Sequence, residues 1–225
     1  MVKERILLSW SSGKDSAWAL HVLRQMPRFE VCGLLTTVNE EHQRVAMHGV
    51  RDDLLRAQAA SVGLSLHSVP LPHPCSNDIY ERCVAEALEE ARAHGVTGIA
   101  FGDLFLEDVR QYRERQVDAL GLQAHFPLWG METGSLADEM VRSGVRAVLT
   151  CIDPAACPRE FAGRDFDLDL LAALPDTVDA CGENGEFHTF AYAGPAFSKP
   201  IRFDRGKVVE REGFVFADLL LAEGR

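Results

Sequence analysis

The chain has 225 residues, of which 47% are hydrophobic and 25% charged, the composition of a globular protein with a substantial buried core. Its formal net charge of -11 disfavours nucleic acid as a partner, because an acidic surface repels phosphate backbones. No apolar run is long enough for a membrane span or a signal peptide. The six cysteines include no Cys-x-x-Cys pair, so neither a zinc ribbon nor a thioredoxin-like redox pair is indicated. We therefore expect a cytoplasmic protein with reduced thiols.

Apolar runs alternate with amphipathic segments through the first half of the chain. The pattern predicts strands at 5–10, 31–38, 64–71 and 98–104, and helices at 15–26, 48–61, 77–93 and 108–120. We expect Asn77 or Asp78 to cap the third helix and Gly95 to end it. Strands that alternate with helices predict an α/β fold, with a parallel sheet covered on both faces.

The second half follows a different pattern. Strands are predicted at 124–129 and 146–153, and helices at 135–143 and 165–174. Two further strands, 201–203 and 207–210, would flank a turn at Asp204-Arg205-Gly206. This change of pattern suggests a soft boundary near residue 125, with one domain at 1–125 and a smaller one at 126–225.

A polar loop connects the first predicted strand to the first predicted helix. Its residues are Ser11, Ser12, Gly13, Lys14, Asp15 and Ser16. Hydroxyls, a positive charge and a helix N-terminus together suit a phosphate group, and small residues let the backbone approach it closely. The loop is not a Walker A motif, which needs Gly where Leu8 stands and Ser or Thr where Asp15 stands. An ordinary strand-to-helix turn capped by Asp15 is the alternative interpretation.

Other candidate ligands follow later strands, whose carboxyl ends form the binding edge of an open α/β sheet. Asp103 is a candidate Mg²⁺ ligand, because Mg²⁺ prefers carboxylate and phosphate oxygens, and the alternative is a cap of the following turn. Thr36 and Thr37 end the second strand, where they would border a ligand at that edge or simply favour β structure. Met47 and His48 would line the same ligand or begin a helix.

Four polar side chains lie within six residues in the last quarter of the chain: Glu183, Asn184, Glu186 and His188. Such a group could orient a ligand or take a proton from it, and the alternative is a solvated turn. Arg113 lies on a predicted helix with other arginines, where it would neutralise a phosphate group or form part of a charged helix face.

The loop 11–16 resembles the PP-loop, Ser-Gly-Gly-x-Asp-Ser, of the N-type ATP pyrophosphatases, which adenylate a substrate oxygen and release pyrophosphate. Its departure from that motif is Ser12 in place of the first Gly. Three further segments resemble the diphthine–ammonia ligase family: Gly102-Asp103, Pro127-Leu128-Trp129, and Cys-Gly-Glu-Asn-Gly-Glu-Phe-His-Thr-Phe at 181–190. The likeness runs from residue 7 to about residue 197, and Gly-Glu-Asn-Gly-Glu-Phe is its most specific part.

This resemblance implies a parallel-sheet adenine-nucleotide α-hydrolase-like (PP-loop) domain and a smaller α+β substrate domain. It also implies a ligase that uses ATP and Mg²⁺ to adenylate a carboxylate, which then reacts with ammonia. The nucleotide would be bound by the loop 11–16 and by Thr36, Thr37, His48, Gly102 and Asp103. Catalysis would fall to Lys14, Asp15, Glu183, Glu186 and His188. The acceptor would be bound by Arg113, Glu183, Asn184 and Glu186.

Family members active in diphthamide synthesis amidate a modified histidine of elongation factor 2. This chain resembles a short, bacterial-type branch in which that substrate is not expected, so we expect a carboxylate on a small molecule or another protein. With no glutaminase domain visible, free ammonia is the expected nitrogen source, and a homo-oligomer is left open. Two other functions remain in view: a tRNA-modifying PP-loop enzyme of the thiolation type, and a non-catalytic adenine-nucleotide sensor. The acidic charge and the lack of Cys-x-x-Cys weigh against the first.

Overall fold

A computed structural model describes residues 3–41, 44–45 and 48–222 of the chain. Strands and helices alternate through the first half, as the apolar pattern predicts. They are β1 (Glu4–Ser9), α1 (Lys14–Gln25), β2 (Phe29–Asn39), β3 (Arg44–Val45), α2 (Asp52–Val62), β4 (Ser65–Leu71), α3 (Asn77–Ala93), β5 (Gly98–Ala100), α4 (Glu107–Asp118) and β6 (Gln123–His125). None of the helices in the described residues has both the length and the apolar character needed to cross a membrane.

The first half forms one mainly parallel sheet. Its strands lie in the order β4-β2-β1-β5-β6, and the short β3 pairs antiparallel with the end of β2. The chain moves outward from β1 through β2 to β4 and then returns to the other side of β1 at β5. The switch point of the sheet therefore lies between β1 and β5, and ligands of open α/β sheets bind in the crevice at that point. The segments that follow these two strands are the loop 11–16 and Gly102-Asp103.

The second half forms an antiparallel sheet with two helices. Its elements are α5 (Thr133–Arg142), β7 (Arg146–Ile152), a 3-10 turn (Arg159–Phe161), α6 (Leu168–Ala173), β8 (Phe187–Ala193), β9 (Phe203–Arg211) and β10 (Phe214–Leu221). The strand order is β8-β7-β10-β9. The α/β fold class is thus confirmed. The division near residue 125 stays a prediction, because Leu8 of the parallel sheet and Phe190 of the antiparallel sheet belong to one continuous hydrophobic core.

One predicted turn is wrong. The residues Asp204-Arg205-Gly206 lie inside the continuous strand β9, and the chain reverses instead at Glu212-Gly213, where both residues have positive φ, 50° and 86°. The polar run was misleading because β9 is largely exposed to solvent, so charged residues are tolerated along it. The strand β10, which pairs with β9, was absent from the prediction.

Several predicted boundaries also differ from the structure; the fifth predicted strand, for example, ends at His125 rather than 129. The fourth strand ends at Ala100 rather than 104, since the chain leaves the sheet to reach the switch point. The second helix begins at Asp52, so that His48 lies in the connection before it. The third helix is capped by Ser76, whose Oγ accepts a hydrogen bond from the Ile79 N–H at 3.4 Å, rather than by a residue one or two positions later.

Candidate active site at the switch point

A cavity of about 210 Å³ lies at the switch point of the parallel sheet. Its walls come from the segments after β1 and β5, from α4, from the connection before α2, and from the segment that leads into β8. The lining residues are Ser9, Ser11, Lys14, Asp15, Ser16, His48, Phe101, Gly102, Asp103, Arg113, Cys181, Gly182, Glu183, Phe187, His188 and Thr189. The structure therefore brings together most of the site residues that the sequence predicts, from as far apart in the chain as Ser11 and His188.

Position 12 of the loop has a left-handed backbone. Ser12 has φ of 70°, a region that favours glycine, which accounts for the Gly at this position of the PP-loop motif. Its carbonyl accepts hydrogen bonds from Gln58 Nε2 and from the Ala191 N–H, both at 2.9 Å. The Ser12 hydroxyl is buried away from the cavity and makes no hydrogen bond within the described part of the chain. Ser12 thus shapes the loop through its backbone.

Two glycines allow the loop to be packed closely from two sides. A Cβ on Gly13 would lie 3.0 Å from Cε1 of His48, and a Cβ on Gly102 would lie 3.2 Å from the Ser16 nitrogen. Any larger residue at either position would displace the loop from its neighbour. Helix α1 begins directly after Gly13, and Ser11 and Ser16 line the cavity beside its N-terminus. Hydroxyls and a helix N-terminus therefore face the same space, which suits a phosphate group.

Lys14 is a buried cation that links the two halves of the chain. Its Nζ donates to both carboxylate oxygens of Asp15, at 3.0 and 2.9 Å, and to the carbonyl of Cys181. The rings of Phe166 and Phe187 lie 5.2 and 5.3 Å from the same nitrogen. Burial lowers the pKa of Lys14, but Asp15, Cys181 and Glu183 together outweigh it, and the pKa of Lys14 is raised above its ordinary value. Burial also raises the pKa of Asp15. The Lys14 ammonium in the cavity is therefore paired with the adjacent Asp15 carboxylate.

Asp103 and Arg113 form an ion pair on the opposite wall. The Arg113 guanidinium donates to the Asp103 carboxylate from Nε at 2.5 Å and from Nη2 at 3.2 Å, and lies over the ring of Phe101. Among the described residues no group of three or more His, Cys, Asp or Glu side chains could hold a metal ion. Mg²⁺ at nucleotide sites uses one or two carboxylates and completes its shell with phosphate oxygens and water. Asp103 fits that role, and its carboxylate would then bind both Mg²⁺ and Arg113.

Glu183 is a carboxylate of perturbed acidity that lines the cavity. Its Oε1 accepts a hydrogen bond from the Leu104 N–H at 2.7 Å. Burial raises the pKa of Glu183 to about 7, with Asp15 and Asp103 adding to the rise, while the Leu104 N–H and the Lys14 ammonium oppose it. A carboxylate with this pKa can both accept and return a proton near neutral pH.

Two neutral histidines, His48 and His188 of β8, contact each other with tilted rings beside the loop. The ring centroids of His48 and His188 are 4.6 Å apart, and His48 Nδ1 lies 3.1 Å from the carbonyl oxygen of Thr189. Burial lowers the pKa of His48 to about 3 and that of His188 to about 4. Because a carbonyl only accepts, the hydrogen bond assigns the proton of neutral His48 to Nδ1, and its Nε2 is an acceptor.

Glu186 and Asn184, which the sequence groups with Glu183, are not brought to the cavity. Glu186 is buried, and its Oε1 accepts hydrogen bonds from the Asp179 N–H and from Asn184 Nδ2, both at 2.9 Å. These bonds hold the segment 179–186 in a compact loop, which carries the Cys181 carbonyl to Lys14. The two residues therefore shape the loop and do not line the site.

Thr36 and Thr37 also lie outside the cavity lining. The Thr36 hydroxyl is buried and donates to the carbonyl of Trp10 at 2.7 Å, which fixes the end of β1 beside β2. Thr37 continues the strand and lies opposite Val69 of β4. Met47, the other candidate of this region, lies outside the described residues.

Sequence reasoning missed two groups that hold the loop in place. Thr189 Oγ1 accepts a hydrogen bond from the Lys14 N–H at 3.0 Å, and the carbonyl of Cys181 accepts from Lys14 Nζ. Thr189 lies within the Gly-Glu-Asn-Gly-Glu-Phe-His-Thr segment, so the motif itself was a signal for it. A backbone carbonyl leaves no signal in residue type, so the Cys181 contact was not predictable.

Comparison with known proteins identifies the family. Residues 4–124, more than half of the chain, match the family described as "Diphthamide synthase N-terminal domain". The diphthine–ammonia ligases of Bos taurus and Homo sapiens are each 25% identical to the chain, over 78% of its length and 70% of theirs. The diphthine–ammonia ligase of Danio rerio is 32% identical over 54% of the chain and 50% of its own length. The resemblance stated from the motifs is confirmed, and the chain belongs to the diphthamide synthase family.

Proposed function

We propose that the chain is an ATP-dependent ligase that forms an amide from a carboxylate and ammonia through an acyl-adenylate, releasing AMP and pyrophosphate. The observation that carries this proposal is the placement of a phosphate-binding loop and a carboxylate of near-neutral pKa, Glu183, in one cavity. Relatives named diphthine–ammonia ligase support the same reaction class.

The first step requires positive charge around the α-phosphate. A carboxylate oxygen of the acceptor attacks the α-phosphorus, a new P–O bond forms, and the bond to pyrophosphate breaks. Lys14, the Ser11 and Ser16 hydroxyls and the N-terminus of α1 would stabilise the charge that develops on the phosphate oxygens. Asp103 would hold the Mg²⁺ that shields the leaving pyrophosphate. The chain's own part is to position the reactants and stabilise charge.

The second step requires a base. Ammonia is mostly protonated near neutral pH and must lose a proton before it can react. Glu183 would accept that proton, since it is partly ionised near pH 7 and lines the same cavity. The ammonia nitrogen then attacks the acyl carbon, the bond between acyl carbon and phosphate oxygen breaks, and AMP leaves with that electron pair. The nitrogen gives up a second proton to solvent, which leaves the neutral amide.

The sulfur-transfer alternative needs a reactive thiol, and the thiols near the site do not suit that role. Burial raises the pKa of Cys157 to about 11 and that of Cys151 to about 12, and raises the pKa of Cys181 well above its ordinary value. The thiolate is the nucleophilic form of cysteine, so these groups are nearly unreactive at neutral pH.

The test is the product of ATP in the presence of an acceptor. The whole protein would be incubated with ATP, Mg²⁺, ammonium and a metabolite extract, and followed by phosphorus NMR. A ligase of this kind gives AMP and pyrophosphate in equal amounts, at a rate that depends on ammonium. Formation of ADP and phosphate would contradict the proposal, and binding of ATP without any turnover would indicate a sensor.

A further inference from the structure

A second and larger cavity, of about 720 Å³, lies between the two sheets on the far side of the histidine pair. Its walls come from the ends of β2, β3 and β4 and from the hairpin formed by β9 and β10. A volume of this size is typical of pockets that bind small molecules. Much of the lining is apolar and includes Leu71, Val209, Phe214 and Phe216.

This large cavity adjoins the cavity at the switch point. His48 lines the smaller cavity, while the next residue, Gly49, lines the larger one. In the same way His188 lines the smaller cavity, while Cys151, its partner in the antiparallel pairing of β7 and β8, lines the larger one. The His48–His188 pair therefore lies at the boundary between the two spaces. The chain thus passes directly from the lining of one cavity to the lining of the other at His48–Gly49.

The charge of the large cavity is opposite to that of the whole chain. Four cationic side chains line it (Arg44, Arg51, Lys207 and Arg211), against the two carboxylates of Glu212 and Asp218. Arg44 and Arg51 are both bound to Asp218, at 3.0 and 2.7 Å. Lys207 and Arg211 are exposed, and the structure shows no ion pair for either within the described residues. A chain with a net charge of -11 thus places excess positive charge around its large apolar cavity.

Strand β9 combines both features on one face. Lys207, Val209 and Arg211 alternate along the strand, so their side chains point to the same side, and all three line the cavity. An apolar surface between two cations matches a molecule with an apolar body and a negative charge.

We propose that the large cavity seats the acceptor of the ligase, and that this acceptor is a small-molecule acid with an apolar body. The inference rests on the proposed function, since it names the substrate class of that reaction. The apolar body packs against Val209, Phe214 and Phe216, and Lys207 and Arg211 attract the acid to the entrance. The reacting carboxylate passes the His48–His188 pair to reach the α-phosphate.

The experiment measures binding of three acids to the full-length protein by nitrogen-15 NMR: hexanoate, 3-phenylpropionate and indole-3-propionate, each beside its alcohol. We expect at least one acid to shift the amide signals of β9 and β10, with an affinity at least ~10-fold above that of its alcohol. In Arg211→Glu that affinity falls by ~10-fold, the scale of one charge contact. Arg82→Glu, the same charge change on the exposed face of α3, leaves the affinity unchanged.

A second variant keeps the test independent of charge. Val209→Trp fills the cavity and is expected to abolish acid binding while ATP affinity stays within twofold of wild type. If no acid binds, or if the alcohols bind as well as the acids, the inference is overturned. If Arg211→Glu or Val209→Trp weakens ATP binding instead, the cavity holds the nucleotide and the inference is overturned as well. A protein that binds the acids here but never converts ATP to AMP would refute the proposed function alone.

Discussion

The PP-loop after β1 and the loop 179–186 before β8 face each other across one cavity, yet they supply opposite kinds of group. The PP-loop offers hydroxyls and the N-terminus of α1, together with the ammonium of Lys14, which is paired with the Asp15 carboxylate of the same loop. The loop 179–186 offers acceptors, the carbonyl of Cys181 and the carboxylate of Glu183. Positive charge for the phosphates and negative charge for proton removal therefore come from separate halves of the chain, and single substitutions can separate them.

The largest effect is expected from Glu183→Gln, which removes the acceptor of the proton. Amide formation is expected to fall by ~100-fold or more, the usual contribution of a general base, while ATP affinity stays within a few-fold. In wild type the rate should rise with pH through about 7, because the base is active only when ionised. Product formation over a pH series and ATP calorimetry measure both effects.

The matched control for that variant lies three residues away. Glu186→Gln alters a buried carboxylate of the same motif that does not line the cavity, so its rate should stay within ~10-fold of wild type and should keep the rise near pH 7. Equal losses in both variants, with a lost pH dependence in both, would contradict the separation of their roles. Loss of ATP binding in Glu183→Gln would make that residue a nucleotide ligand.

On the donor side, Lys14→Ala is expected to lower ATP turnover by at least ~10-fold, because a fixed charge beside the phosphates is lost. Asp15→Ala should act in the same direction, since Asp15 holds the Lys14 ammonium in place. Circular dichroism checks that the fold survives. Full activity in both variants would remove the loop from the mechanism, and unfolding of both would favour a structural role.

The His48–His188 pair predicts a loss of stability in acid. Folded His48 and His188 have pKa values of about 3 and 4, below the ordinary 6.5, so the unfolded chain takes up protons that the folded one does not. The free energy of unfolding should therefore fall as the pH drops below 6.5, by on the order of 1 kcal/mol per pH unit for each histidine. Urea titrations at pH 7 and pH 5 measure the fall, which should be smaller in His48→Gln. Parallel behaviour of variant and wild type would contradict the prediction.

The smallest effect concerns the backbone of the loop. Ser12→Gly should raise the free energy of unfolding by about 1 kcal/mol, because glycine adopts positive φ without strain. Glu212→Gly removes the same positive-φ strain from an exposed hairpin, so it is the control for the effect on stability alone. ATP affinity should not change in either variant. A weaker affinity in Ser12→Gly would show that the Ser12 hydroxyl binds the nucleotide.

The sequence was most informative where regular periodicity and motif coincide. Alternation of strand and helix was sufficient to predict the parallel sheet, and the loop 11–16 follows its first strand as expected. The hairpin of β9 and β10 was not predicted, because β9 is an exposed edge strand whose charged residues resemble those of a turn. Within the 181–190 motif, residue type did not distinguish Glu183, which lines the cavity, from Glu186, which is buried beneath it. Only the backbone path decides which carboxylate faces inward.

The hydrogen bonds that the loop 11–16 makes with β8 and with the segment before it bear on whether the first half of the chain can fold by itself. The Ser12 carbonyl accepts a hydrogen bond from the Ala191 N–H, and the Lys14 N–H donates to Thr189 Oγ1. The Lys14 ammonium donates to the Cys181 carbonyl. A fragment ending at residue 125 would retain the whole PP-loop sequence and all of the matched region 4–124, yet it would lose every one of these partners. The loop sequence therefore lies entirely in the first half of the chain, but the loop is held in its conformation by hydrogen bonds from the second half.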